Sequence, residues 1–241
     1  MKTLIINGSL RNENSRSMMV ARKFVEGISN ATGSAVEVIE LSKVNIEHCV
    51  GCFCCWKVTP GKCAIRDDMD MIREKILESD VIVLAFPLYF FGVASKMKTL
   101  IDRLLPFKFP YNGRLATEDN ITILDFRPEI ENKKFVIVSA CAHASTDYVF
   151  EGVKAQFDLT FGPDNYTSIF CAQGEILKLE QMHAIVNAYL AKVMKAGEEF
   201  GAEGKLSPET HKKICAPIVP PRAVEKMMTG YWQSFLDEKE E

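Results

Sequence analysis

The chain reads as an α/β protein, a doubly wound sheet of five parallel strands followed by a C-terminal helical extension. Continuous apolar runs of strand length, Val81-Ile82-Val83-Leu84-Ala85-Phe86 and Phe135-Val136-Ile137-Val138-Ser139-Ala140, have the composition of parallel strands buried on both faces. Between the runs, apolar residues recur at helical spacing: Val20, Phe24 and Ile28, then Met69, Ile72 and Ile76, then Met97, Ile101 and Leu104. Strand and helix therefore alternate. At 241 residues, 47% hydrophobic and 25% charged, the chain can enclose one large core.

Taken in order, Lys2-Thr3-Leu4-Ile5-Ile6-Asn7 is a short buried strand, and residues 8–17 form a polar loop that opens a helix. Val36-Glu37-Val38-Ile39-Glu40-Leu41 alternates as a second strand, the two apolar runs are the third and fourth, and Thr167-Ser168-Ile169-Phe170-Cys171 is the fifth. Beyond it, Ile176, Leu179, Met182, Val186, Leu190 and Val193 predict a helix that runs to about Glu199. The α/β body is expected to span residues 1–200 and the extension residues 201–241. In the extension, Ser207-Pro208-Glu209-Thr210 has the form of a helix start with proline at its first position, and a Pro-rich stretch, Ala216-Pro217-Ile218-Val219-Pro220-Pro221, follows. Met227, Met228, Tyr231, Trp232 and Phe235 then recur at helix-like spacing. They need a surface to cover, on the same domain or on a second subunit.

A net charge of −3 with interspersed signs supplies no broad positive field, so neither nucleic acid nor an anionic membrane is an expected partner. The strand at the start and the shortness of the apolar runs fit neither a signal peptide nor a membrane-spanning helix, which predicts a cytoplasmic protein. Eight cysteines in such a protein point to metal binding or redox chemistry rather than disulfides.

Three loops carry the chemistry. They follow the first, third and fourth strands, and in a doubly wound sheet these ends share the ligand-binding edge. In the first loop, backbone N–H groups at a helix start attract anions, Ser9, Ser15 and Ser17 offer hydroxyls, and Arg11 or Arg16 offers a charged fork for phosphate oxygens. The loop lacks both the Gly-Lys-Ser/Thr ending of a triphosphate loop and the three-glycine dinucleotide fingerprint, so a terminal monophosphate suits it better. Alternatively it is only a capped helix, with Ser15 or Ser17 as N-cap. The second loop, Pro87-Leu88-Tyr89-Phe90-Phe91-Gly92, places aromatic rings and free backbone amides where a planar ring would lie, unless the aromatics belong to the core. The third is Cys141-Ala142-His143-Ala144-Ser145.

Gly8-Ser9-x-Arg11 with Ser15 and Ser17, Pro87-Leu88-Tyr89-Phe90, and Lys98-x-x-x-Asp102-Arg103 resemble the flavodoxin-like NAD(P)H-dependent FMN reductase family over roughly residues 2–145. The resemblance implies a flavodoxin-like strand order of 2-1-3-4-5. It also implies FMN with its phosphate on Ser9, Arg11, Ser15, Arg16 and Ser17 and its isoalloxazine against Pro87, Leu88, Tyr89 and Phe90. Cys141, Ala142 and His143 would close the other edge of the ring, in place of the glycine-rich turn often found there. His143 would be a donor to the flavin or to the acceptor, or simply a solvated loop histidine. Asp102 and Arg103 read as a structural ion pair or as helix-surface contacts.

Five cysteines lie between positions 49 and 63. Cys49, Cys52, Cys55 and Cys63 have the spacing C-x2-C-x2-C-x7-C, whose short steps and returning turn let thiolates converge as a 4Fe-4S cluster requires. A tetrahedral zinc site, a redox-active thiol set and packed reduced cysteines remain alternatives, and Cys54 is surplus to any four-ligand scheme. The pattern resembles that of the iron–sulfur flavoproteins within the same family.

The expected function is therefore an FMN-dependent oxidoreductase. Hydride would pass from NAD(P)H to FMN, and then onward to a small-molecule acceptor such as a quinone, a nitro or azo compound, or free flavin, or to a protein such as a ferredoxin. The alternatives are a flavodoxin-type or iron–sulfur flavoprotein electron carrier without its own NAD(P)H oxidation, and a zinc-stabilised binding module. The resemblance implies a homodimer or homotetramer.

Overall fold

A computed structural model describes residues 1–118 and 120–237. Five strands, β1 (Lys2–Asn7), β2 (Ala35–Glu40), β3 (Val81–Pro87), β4 (Lys134–Ala140) and β5 (Tyr166–Cys171), pair in parallel in the order β2-β1-β3-β4-β5. Each stands where its apolar pattern predicted it, with ends shifted by a residue or so. Among the described residues the α-helices are α1 (Arg16–Thr32), α2 (Cys54–Lys57), α3 (Met69–Glu78), α4 (Ser95–Asp102), α5 (Pro128–Glu131), α6 (Glu151–Phe161), α7 (His183–Glu203), α8 (Pro208–Cys215) and α9 (Pro221–Asp237).

Alternation along each strand divides the core in two. Leu4, Ile6, Ile82, Leu84 and Ile137 pack under α3, α4 and α6, while Ile5, Val83, Val136 and Val138 pack under α1 and α7. The sheet is thus doubly wound, and chain order reverses between β1 and β3. Their carboxyl ends open onto the crevice where ligands bind in such folds.

Helix α6 escaped the sequence reading, although Val153, Phe157 and Phe161 mark its buried face. Its Phe161 ring stacks on Phe135 at 4.4 Å. The helix expected from Ile176 begins only at His183, because Ile176, Leu179 and Met182 sit in or between two 3-10 turns, Gly174–Lys178 and Glu180–Met182. Their spacing of three is the 3-10 period rather than the α period.

α1 and α7 cross at Gly27 and Gly197. A Cβ on Gly197 would collide with the Phe24 carbonyl, and one on Gly27 with the Met194 carbonyl. Gly197→Ala is therefore expected to destabilise by about 1–3 kcal/mol through overpacking, despite the better helix propensity of alanine. Chemical denaturation would show this as a lower midpoint, and an unchanged midpoint would contradict the close crossing.

The segment after α7 lies on the same core. Ile214 and Val224 are buried, the Tyr189 hydroxyl donates to the Ile214 carbonyl at 3.1 Å, and Ser207 caps α8 with Pro208 behind it. Met228 packs partly against the core, whereas Met227, Tyr231 and Trp232 are exposed along α9. The side chain of Phe235 and residues 238–241 lie outside the described residues. None of the described helices is long and apolar enough to cross a membrane.

Candidate active site

The loop after β1 makes a cup at the start of α1. Ser15 is the N-cap, its Oγ accepting from the Met18 amide, and its hydroxyl also shares a hydrogen bond of 2.7 Å with Ser17. Capping and anion binding are thus compatible, since one cap leaves other first-turn N–H groups open to a ligand. Ser9 accepts from the Arg11 amide at 3.2 Å and donates its own amide to the Asn7 side chain at 3.0 Å. Asn7 is held in turn by Glu40 at 2.7 Å, which fixes the loop to β2. Ser9, Ser15 and Ser17 are all buried, and Arg11 is exposed at the rim. Arg16 reaches across to Glu175, and its Nε is buried without a partner. An unpartnered buried N–H on the residue between Ser15 and Ser17 is a donor suited to an anionic acceptor.

Tyr89 and Gly92 close the turn after β3 with reciprocal backbone hydrogen bonds of 3.1 and 3.0 Å. The two residues between them, Phe90 and Phe91, both have positive φ, 47° and 63°. Bulky side chains rarely adopt this conformation, and each costs about 1–2 kcal/mol. Phe90 is 99% exposed and Tyr89 and Phe91 are about half exposed, so these aromatics are not core. Leu88 differs, being partly buried against the core. The expectation of free amides is corrected at three positions. Leu88 donates to the Ala140 carbonyl, and the Tyr89 and Gly92 amides are used within the turn. Phe90→Gly should relieve strain and stabilise the fold by up to about 1 kcal/mol, as read by thermal or chemical denaturation. A loss of stability would show that the ring supports the structure.

Residues 141–145 approach the same edge. Cys141 is buried and continues the sheet by donating to the Cys171 carbonyl, and burial pushes its thiol up to about 11, so it is inert as a nucleophile near neutral pH. Ala142 and His143 are exposed, and the His143 ring lies 5.7 Å from the ring of Phe91. What holds this loop is Gln173, which sequence reasoning missed. In the left-handed conformation at φ 60° and almost completely buried, it donates its amide to the His143 carbonyl at 2.9 Å. Its side chain bridges the Ala144 carbonyl and both backbone groups of Val219 at 2.8–2.9 Å. The tail is thereby tied to the candidate site.

The cysteine loop leaves the carboxyl end of β2 and returns before α3. Cys49, Cys52, Cys55 and Cys63 border one small cavity together with Arg103, while Cys54 does not. Burial, followed by the neighbouring sulfurs of Cys63, Cys49 and Cys52, pushes the Cys55 thiol up. The Cys54 thiol is pushed up chiefly by its contact with Cys52, then by burial and Cys63. Among the described residues, no group of three or more His, Cys, Asp or Glu side chains is close enough to grip a lone metal ion. At the base of the loop, the buried Arg103 pairs with both oxygens of Asp67 at 2.7 and 2.9 Å and donates to the Glu47 and Ile65 carbonyls. Asp67 also accepts from the Glu47 and Met69 amides. Burial works to raise the Asp67 carboxyl, but the Arg103 fork and these amides prevail and hold it below its usual range. Asp102 does not pair with Arg103; it meets Lys98 on the helix surface at 2.6 Å.

Residues 1–174 match the model of a family described as having a flavodoxin-like fold. The chain belongs to this flavodoxin-like family. Among curated proteins, this flavodoxin-like chain is similar to an iron-sulfur flavoprotein of Archaeoglobus fulgidus, 39% identical over 107 residues, which are 44% of this chain and 47% of the relative. It is also similar to an FMN-dependent NADH:quinone oxidoreductase of Pseudoalteromonas atlantica, 28% identical over 107 residues, 42% of this chain and 53% of the relative. These matches span about half the length of the relatives. The NAD(P)H:quinone oxidoreductase structure from Methanothermobacter marburgensis superposes with a TM-score of 0.59 at 20% identity, covering 83% of this chain and 98% of that one, which is a likeness of fold.

Proposed function

We propose that this chain is an FMN-dependent NAD(P)H oxidoreductase that passes reducing equivalents to a small-molecule acceptor of the quinone, nitro, azo or flavin class, or to a protein such as a ferredoxin. The observation that carries the reading is the meeting, at one sheet edge, of the buried hydroxyl cup and the strained aromatic turn. The names of the two curated relatives, a flavoprotein and an FMN-dependent oxidoreductase, support it.

The residues fit FMN. Ser9, Ser15, Ser17, Arg16 and the rim residue Arg11 would hold the phosphate, with the orphaned Arg16 Nε supplying a donor. Pro87, Leu88, Tyr89 and Phe90 would support the ring, and Cys141, Ala142 and His143 would border its far edge, with His143 a donor to flavin or acceptor. Bound FMN would supply the redox centre between nicotinamide and acceptor. The chain contributes orientation, through a turn fixed at Tyr89 and Gly92 and a loop fixed by Gln173. Its exposed rings at Tyr89, Phe90 and Phe91 would select planar molecules that stack beside the cofactor.

The cysteine loop belongs to the same reading. Cys49, Cys52, Cys55 and Cys63 border one cavity and fit a 4Fe-4S cluster by donor chemistry, and the cluster would supply one-electron exchange. A homodimer or homotetramer, with residues 1–200 as the flavin-binding body and 201–241 as its extension, completes the proposal. Anaerobically purified protein should show twin flavin bands and oxidise NADH or NADPH when a quinone is supplied. A flavin-loaded protein that oxidises neither would favour the electron-carrier alternative, and a colourless one would end the proposal.

A further inference from the structure

The reading above leaves two arginines beside the cysteine loop without a role in its chemistry. Arg73 lies over the Phe107 ring at 5.3 Å and donates to the Gly61 carbonyl, and its Nε is buried without a partner. Arg103 is the more deeply placed, with a side chain only 1% exposed. Its two terminal nitrogens are engaged by Asp67, Glu47 and Ile65, yet its Nε is also buried without a partner. Arg103 walls the cavity that Cys49, Cys52, Cys55 and Cys63 border.

A buried N–H without an acceptor is costly, so most in native folds are completed by protein, water or a bound group. Neutral thiols accept weakly, whereas thiolates and inorganic sulfides bound to iron accept well. Hydrogen bonds to such sulfurs favour the more negative, reduced state and so raise the reduction potential. We propose that the Arg103 Nε–H donates to a sulfur of a cluster held in the cavity that Arg103 shares with Cys49, Cys52, Cys55 and Cys63, so that the residue clasping the loop through Asp67 also sets the cluster's potential. The inference rests on the cluster reading of the cysteine loop.

The test uses anaerobically purified holoprotein and the variants Arg103→Lys and Arg73→Lys, with iron and sulfide analysis of each. Arg103→Lys keeps a positive charge for Asp67 but removes the Nε–H. At a fixed ambient potential its oxidised-to-reduced ratio should rise about tenfold over wild type, a fall of about 59 mV for a one-electron couple. Arg73→Lys should shift far less. Pulsed electron paramagnetic resonance of the reduced wild-type cluster, in protein carrying nitrogen-15 arginine, should show a weak nitrogen coupling that Arg73→Lys retains. That measurement decides the matter if Arg103→Lys fails to fold or to hold a cluster. An unchanged potential in loaded Arg103→Lys, or no nitrogen coupling in loaded wild type, overturns the proposal. Wild-type protein without iron and sulfide after anaerobic reconstitution overturns the cluster reading itself, and this inference with it.

Discussion

Asp67→Ala is expected to lower stability by about 3–5 kcal/mol, because it leaves the Arg103 guanidinium buried without its counter-charge. The Asp67 side chain is 4% exposed and accepts from both terminal nitrogens of Arg103 and from the Glu47 and Met69 amides, so the substitution strips four donors of one acceptor group. Those amides flank the cysteine loop, and the loss should appear there first, as faster amide exchange over residues 47–66, as well as in the global denaturation midpoint. The pH dependence has a definite sign. The folded carboxyl lies below its unfolded value of about 3.9, so its stabilisation is complete above that pH and is lost as pH falls through the folded value. Stability of the wild type should therefore decline in acid more steeply than that of Asp67→Asn. Equal acid sensitivity would show that the pair is not the clasp.

Ser15→Asp is expected to abolish FMN binding while leaving the fold intact. Aspartate is as good an N-cap as serine and its charge suits a helix start, so α1 should keep its cap. The same carboxylate would stand in the cup where a phosphate is to bind. At an effective dielectric of about 20, two unit charges about 4 Å apart repel by about 4 kcal/mol, enough for roughly a 1000-fold loss of affinity. Circular dichroism and denaturation should match wild type while fluorescence titration with FMN loses its saturable phase. Retained affinity would place the phosphate elsewhere.

The fold was legible because its signals are local and repeated. Five strands announced themselves by continuous apolar runs or alternation, and α1 by Ser15 and the spacing of Val20, Phe24 and Ile28. The 3-10 turns after β5 were misread because an apolar spacing of three is compatible with either helix over so short a stretch. The motif residues of the candidate site could be named, but not what fixes them. Gln173 joins positions 144 and 219 across the fold, and nothing local in its sequence context signals such a role. The motif marks Arg103 as an ion-pair residue, but not Asp67 as its partner or its reach to positions 47 and 65. The left-handed conformations of Phe90 and Phe91 were equally hidden, since glycine or asparagine is what normally marks such a turn.

The cup at the start of α1 is the feature on which the proposed chemistry depends, and calorimetric titration of flavin-free protein with FMN and with riboflavin tests it most directly. The two ligands share the ring and differ in the phosphate. FMN should bind with a dissociation constant in the micromolar range or below, and riboflavin about 100-fold or more weakly, as expected when charge-assisted hydrogen bonds to phosphate supply roughly 3 kcal/mol. Equal affinities, or no binding of FMN, would contradict a phosphate held by Ser9, Ser15, Ser17 and Arg16.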